Sequence, residues 1–387
     1  MRDPCLTGNV GAAGLIFKGA CSRCYFPRKL LPLQTADMQG VLHKTLIIRF
    51  SSVGDVVLAS PLLRALHGRY PDCQIDFLVK AEYADLVRFN PHVAHVIRFP
   101  GAGTLGDLVR LRRTVISSRY DLIIDIHDSI RSRFLSSGAG NVTRVNKRKI
   151  ARTLLVNFKL DLYDRFGGAP DVAARYLETV LPLGVEDDGR GPELFFPPEL
   201  RASVEGLLSA EHISPGMMCI GVCPCARHGN KVWPGERFAE SAGRLAEQHG
   251  LPVLLFGGED EREMCGAISS MISGGYPRAR VLNLAGRLSL LETGCAMDRC
   301  AVVLANDTGL MHIAEARGVP VVAIFGPTVR EFGFFPRGAR AAVVENSGLY
   351  CRPCTHIGLP RCPLGHFRCM KEITPGAVID GAGRFLS

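Results

Sequence analysis

The sequence predicts an α/β protein of two lobes, each built on a parallel sheet, with a crevice between them. Short apolar runs alternate with stretches of helical apolar spacing through both halves of the chain, the pattern of parallel strands covered by helices. Two of those runs open into loops that carry an acid beside glycine and hydroxyl side chains. Phe50-Ser51-Ser52-Val53-Gly54-Asp55 follows Leu46-Ile47-Ile48, and Asp307-Thr308-Gly309 follows the run from Val302 to Asn306. With 387 residues the chain is long enough for two domains of ordinary size.

In chain order, strands are expected over Lys44–Phe50, Gln74–Val79, His95–Phe99 and Leu122–Asp125. A helix over Val56–Tyr70 follows from the spacing of Val57, Leu58, Leu62, Leu63 and Leu66, with Pro61 tolerated in an early turn whose donors are unpaired. Pro182–Pro198, rich in Gly, Pro and acids, reads as a linker or peripheral loop. The pattern then repeats. Met218–Val222, Val253–Phe256, Val281–Asn283, Val302–Ala305 and Val321–Phe325 read as strands, Phe238–His249 and His312–Arg317 as helices. The expected domains are 44–200 and 215–387. Neither half carries G-x-G-x-x-G, which argues against a standard nicotinamide or flavin site.

Composition narrows the class. The chain is 47% hydrophobic and 21% charged, which excludes a disordered protein. No apolar run reaches the roughly eighteen residues a spanning helix needs. Residues 1–43 lack the order of an export signal; they read as a disordered leader, or as the product of an upstream start with Met38 the true beginning. The net charge of +9 is densest in Arg144, Lys147, Arg148, Lys149 and Arg152. Such a run suits a polyanion or is simply a solvated face. No RNA-recognition motif or recognition helix accompanies it, so nucleic acid is not the expected partner.

Asp55, at a strand-to-helix turn, is placed to take a proton from a hydroxyl nucleophile, or to cap the helix. Ser52 and Gly54 add a hydroxyl and open backbone beside it. Thr308, Gly309 and the amides that follow suit a diphosphate, while Asp307 orients the loop or accepts from a sugar hydroxyl. His312 is placed to donate to phosphate or sugar, or to pack. Lys231, in the loop from Cys223 to Pro234, can neutralise a diphosphate leaving group without a metal, or lie on the surface. Glu259 after Gly257-Gly258 can bind a sugar hydroxyl or cap a helix. Cys351, Cys354, Cys362 and Cys369 form a compact cluster, open to a structural zinc, iron or iron–sulfur centre, to reduced thiols or to disulfides.

Taken together, Phe50-Ser-Ser-Val-Gly-Asp55, Lys231-x-Trp-Pro234, Gly257-Gly-x-x-Glu261 and Asn306-Asp-Thr-Gly-x-x-His312 resemble the ADP-heptose:lipopolysaccharide heptosyltransferases of glycosyltransferase family 9, across residues 44–375. Cys351-x-Pro-Cys354 and Cys362-Pro-Leu-Gly-His366 look most like the heptosyltransferase II branch. The resemblance implies a GT-B fold, with the acceptor on the N-terminal lobe and the ADP-sugar on the C-terminal lobe. It implies that Asp55 is the general base, that Lys231 binds phosphate, and that Asp307, Thr308, Gly309 and His312 form the sugar-nucleotide loop. Glu259 joins the donor site. Ser52, Gly54, Arg144, Lys147 and Arg148 are then candidates for the anionic inner-core acceptor.

The implied reaction is an inverting displacement that needs no catalytic metal or other cofactor. It moves L-glycero-D-manno-heptose from ADP-heptose to the lipopolysaccharide inner core, as the second heptose. A lipid-linked acceptor implies a cytoplasmic enzyme of a Gram-negative bacterium, in peripheral contact with the inner membrane. The alternatives are a related transferase with another nucleotide-sugar donor, a binding protein without turnover, and a basic nucleic-acid binder.

Overall fold

Eleven strands gather into two parallel sheets in the computed structural model, which describes residues 42–100 and 103–386. The first sheet holds β1 (Lys44–Ile48), β2 (Gln74–Lys80), β3 (His95–Phe99), β4 (Leu122–Asp125) and β5 (Val142–Arg144) in the order β3-β2-β1-β4-β5. The second holds β6 (Cys219–Cys223), β7 (Val253–Leu255), β8 (Val281–Asn283), β9 (Cys300–Asn306), β10 (Val321–Phe325) and β11 (Ala341–Glu345) in the order β11-β10-β9-β6-β7-β8. β1, β4, β6, β9 and β10 are buried almost throughout. That explains their unbroken apolar runs: a parallel strand covered on both faces has no solvent side to alternate with.

Each sheet reverses its strand order once. From β1 the chain winds outward to β2 and β3, then returns to β4 and β5 on the other side. From β6 it winds to β7 and β8, then returns to β9, β10 and β11. In such sheets the crevice for a ligand lies beyond the carboxyl ends of the strands at the reversal. Here those ends belong to β1 and β4, and to β6 and β9.

The expected helix over Val56–Tyr70 is two helices, Val53–Val57 and Ser60–Arg69. Pro61 is the cause. It has no N–H to give the Val57 carbonyl, and the Ser60 hydroxyl bonds that oxygen instead at 2.7 Å. The split leaves Gly54 and Asp55 on a short first helix at the crevice. The helix expected from His312 starts earlier, at Gly309, and ends at Ala316. β5 and β11, too short or too plain to read in sequence, complete the sheet edges.

Residues 184–197 form no regular element, yet they are packed rather than loose. Arg64, itself buried, holds Asp188 at 2.6 Å and Glu193 at 2.7 Å, and Leu194 is buried in the core. Residues 1–41, Met38 among them, lie outside the described residues, while Leu42 is buried in the core and the His43 amide donates to Asp121 at 2.8 Å. Among the described residues no helix is long and apolar enough to cross a membrane.

One apolar core runs from Leu62 and Phe77 through Leu291 to Phe325, so both sheets share it. A second lies on the far face of the second sheet around Trp233 and Phe238, whose rings meet edge-on at 4.9 Å. Phe238 is fully buried there. Phe238→Ala should therefore cost about 3–5 kcal/mol. Urea denaturation checks this, and an unchanged midpoint would contradict the packing described.

Candidate active site

The two strand-order reversals open into one cleft of about 1450 Å³, lined among others by Asp55, Lys231, Glu259, Asp307, Thr308 and His312. Two glycines bring its walls together. A Cβ on Gly54 would stand 2.7 Å from His312 Cδ2, and one on Gly309 would stand 2.6 Å from Val53 Cβ. Any other residue at either place would push the helix Val53–Val57 away from the helix Gly309–Ala316. The two loops singled out in the sequence thus touch, each glycine against a side chain of the other.

Asp55 is held from several sides. Its Oδ2 accepts from the Ser52 amide at 3.2 Å and from the Ser52 hydroxyl at 2.8 Å. Its Oδ1 meets Arg49 Nη2 at 2.6 Å and accepts from the Tyr176 hydroxyl at 3.3 Å. The helix-cap reading of this acid is met by Oδ2, which holds Ser52 at the helix start, while Oδ1 faces a guanidinium in the cleft. Burial pushes the Asp55 carboxyl up, but Arg49 and the Ser52 donors outweigh it and hold the group below the usual carboxylate range. Arg49 is aimed by a second bond, Nη1 to the Ile126 carbonyl at the end of β4, 2.8 Å.

Lys231 faces Asp55's wall from the second lobe's loops. Its Nζ lies 2.7 Å from Asp307 Oδ2, and both side chains are largely buried. The same carboxylate oxygen accepts from Thr328 Oγ1 at 2.7 Å. Asn306, wholly buried, staples the two loops together: its Oδ1 accepts from the Trp233 amide at 3.0 Å and its Nδ2 donates to the Pro224 carbonyl at 2.6 Å. Trp233 in turn donates through Nε1 to the Ile373 carbonyl. So Asn306 and Trp233 fix the loop, and Asp307 fixes the ammonium at its tip. His312 Nδ1 lies 3.0 Å from Glu315 Oε2, while its Nε2 is buried with no hydrogen-bond partner among the described residues.

The remaining expected residues divide. Ser52, Gly54 and Lys147 line the cleft, with Lys149 and Arg152 beside them. Arg144 and Arg148 do not line it. Arg144 reaches Ser136 Oγ at 3.0 Å, and Arg148 is buried against Glu178 at 2.8 Å. Glu259 lies on the cleft wall, exposed, in an ion pair with Arg262 at 2.9 Å. Lys147 donates to the His127 carbonyl and, at 3.3 Å, to the Asp128 carbonyl. Burial and the nearby Arg49 charge push its ammonium down to about 8.

Sequence reasoning passed over Arg49, His127 and Tyr176. Arg49 had one legible signal, a cation at the end of an apolar strand directly before the Asp55 loop. His127 lies two residues past the end of β4, and burial first, then Arg49 and Lys147, push it down to about 3, so it is neutral at physiological pH. Tyr176, 121 residues from Asp55, had no local signal.

Of the readings open for the late cysteines, the arrangement fits reduced thiols. Among the described residues no three or more His, Cys, Asp or Glu side chains converge as metal ligands. Cys351 Sγ faces His366 Nε2 at 3.8 Å, Cys354 Sγ faces Asn230 Nδ2 at 3.9 Å, and Cys369 is drawn into the second apolar core. Cys351, Cys354, Cys362 and Cys369 are free thiols.

The Asp55 environment has a measurable consequence. In a carboxyl-carbon NMR titration Asp55 should titrate below the ordinary aspartate range. In Arg49→Gln, burial is left less opposed and the midpoint should move up. The sign follows from the causes: removing a cation destabilises the anion. An unmoved midpoint would show that Arg49 does not set the ionisation.

Comparison with known proteins agrees with this architecture. A family model described as glycosyltransferase family 9 (heptosyltransferase) matches residues 108–362. Lipopolysaccharide heptosyltransferase 2 of Salmonella typhimurium is 31% identical over 353 residues, 89% of this chain and 99% of that protein. The protein of the same name from Escherichia coli K12 is 30% identical over 346 residues, 87% of this chain and 97% of that protein. The solved structure of E. coli ADP-heptose lipopolysaccharide heptosyltransferase II superposes with a TM-score of 0.68 at 26% identity, covering 89% of this chain and 98% of that one. A family 9 glycosyl transferase from Veillonella parvula shares the fold at a TM-score of 0.74 and 21% identity, over 89% of this chain and 97% of that one. The two facing parallel sheets are those of the GT-B type, and the chain belongs to glycosyltransferase family 9, the heptosyltransferases.

Proposed function

We propose that this protein transfers L-glycero-D-manno-heptose from ADP-heptose to the lipopolysaccharide inner core, adding the second heptose. The observation that carries the reading is the single cleft in which Asp55 faces Lys231, Thr308, Gly309 and His312. The relatives named heptosyltransferase 2, matched along nearly their whole length, support the choice of branch. On this reading residues 44–200 take the acceptor and residues 215–387 the ADP-sugar.

The acceptor hydroxyl oxygen attacks the anomeric carbon as the bond from that carbon to the diphosphate oxygen breaks. ADP leaves with the electron pair, Asp55 receives the hydroxyl proton, and the β-linked sugar becomes α-linked. Lys231 and the amides opening the helix at Gly309 neutralise the departing diphosphate. His312 Nε2, buried and unpartnered, has a free position for a phosphate or sugar oxygen. Arg49 keeps Asp55 ionised and aimed, but it also makes a weak base. Proton transfer then belongs late, when the attacking oxygen has already become acidic. Lys147, Lys149 and Arg152 on the acceptor side suit anionic core groups. Holding both substrates between lobes that exclude water supplies much of the rate.

The deciding experiment is transfer from ADP-heptose to defined acceptors carrying no heptose or one. Product should form on the one-heptose acceptor with inverted linkage; product on the heptose-free acceptor alone would move the enzyme to another branch. Asp55→Asn should lower turnover by about a hundred- to ten-thousand-fold while ADP-heptose still binds. Near-normal turnover would remove Asp55 from the mechanism. Lys231→Ala should lower turnover by about a hundredfold or more; unchanged donor affinity and turnover together would remove the phosphate role.

A further inference from the structure

We infer that the helix Lys149–Phe158 is a membrane-docking element that lays the acceptor side of the cleft against an anionic lipid surface. The inference rests on the reading of a lipid-linked acceptor and names the surface from which that acceptor is taken.

The helix reads Lys-Ile-Ala-Arg-Thr-Leu-Leu-Val-Asn-Phe. Ala151 and Leu155 anchor it in a small cluster with Tyr163 and Phe332. Ile150, Leu154 and Phe158 recur every fourth residue and so share one flank. Ile150 is 62% exposed and Phe158 65%, and Leu160 just beyond the helix is 51% exposed. Solvent-facing Ile, Phe and Leu so close together are costly to leave wet and mark a surface that is covered in use. Ile130, 89% exposed, adds to it: Asp128 ties the two segments, bonding Arg133 at 2.7 Å and Lys149 at 3.3 Å.

The charge around the stripe selects the occupant. The helix contains no acid, and residues 149–166 hold four basic residues, Lys149, Arg152, Lys159 and Arg165, against two acids, Asp161 and Asp164. An apolar flank rimmed by Lys and Arg is the composition of a helix lying in a bilayer interface with anionic headgroups. A second copy fits poorly. A two-fold contact would set this basic helix against the same basic segment, and lysine is depleted at protein interfaces. Position agrees as well. Lys147, Lys149 and Arg152 line the cleft, so lipid held by this helix would present its headgroup sugars at the cleft mouth.

The test uses the purified full chain and sedimentation with vesicles free of acceptor. One set contains phosphatidylglycerol and phosphatidylethanolamine, the other phosphatidylcholine alone. The protein should pellet with the anionic set, less so as salt rises, and stay largely in solution with the other. Ile150→Ser and Phe158→Ser should each weaken binding roughly tenfold, and Ile150→Trp should strengthen it. Both serine variants should keep full turnover on a deacylated, water-soluble inner-core oligosaccharide, which also shows that they fold. The inference is overturned if the unaltered protein ignores anionic vesicles or if the serine variants bind them equally well. It is likewise overturned if sedimentation velocity shows the stripe buried in a dimer that those variants dissociate. Vesicle binding without heptose transfer to any acceptor would instead sink the functional reading and leave the docking face standing.

Discussion

The structure depends on two short helices that meet where each offers a glycine to a side chain of the other. Gly54 lies against His312, and Gly309 lies against Val53. That contact sets the reversal of one sheet opposite the reversal of the other. Many polar groups of the cleft then follow from the strand that ends there: Arg49 and Asp55 from β1, His127 and Asp128 from β4, Lys231 from the loop after β6, Asp307 and Thr308 from β9. A methyl group at either glycine would separate the acid from the amides it has to face.

Taking charge out of water demands partners, and each buried charge in this cleft has one. Arg49 sits between Asp55 and the Ile126 carbonyl. Lys231 sits on Asp307, which Thr328 also holds. Such pairs are costly to desolvate and strongly destabilised when one member is removed. Their use here is orientation: an aspartate with four donors has little freedom to turn. Low proton affinity is the other side of the same arrangement, since the contacts that aim Asp55 also favour its anion.

Much of this was legible in the sequence. Buried parallel strands leave unbroken apolar runs, and loops that open into helices leave acids beside glycine, so β1, β9 and their loops could be read directly. Strand limits at His95–Phe99, Leu122–Asp125, Val281–Asn283 and Val321–Phe325 fell where the apolar runs ended. The failures have physical reasons. Apolar spacing continued through Pro61, although the missing N–H divides the helix there. Arg144 and Arg148 belonged to a basic run, but charge density in sequence does not say which cations have carboxylates waiting in space. Arg148 met Glu178, and Tyr176 met Asp55, across separations that no local pattern reports. The four late cysteines are reduced thiols, one of the readings their spacing leaves open, with Cys369 packed inward.

Asp307 has a further consequence through its grip on Lys231. On the proposed reading the ammonium has two suitors, the aspartate and the nucleotide diphosphate, and it cannot satisfy both fully at this distance. The aspartate is always present. On that reading it would lower the affinity for the incoming nucleotide and, once the sugar has gone, reclaim the lysine. A residue set against the negatively charged ligand would thereby favour the departure of spent nucleotide and keep the enzyme from stalling with its own by-product in place.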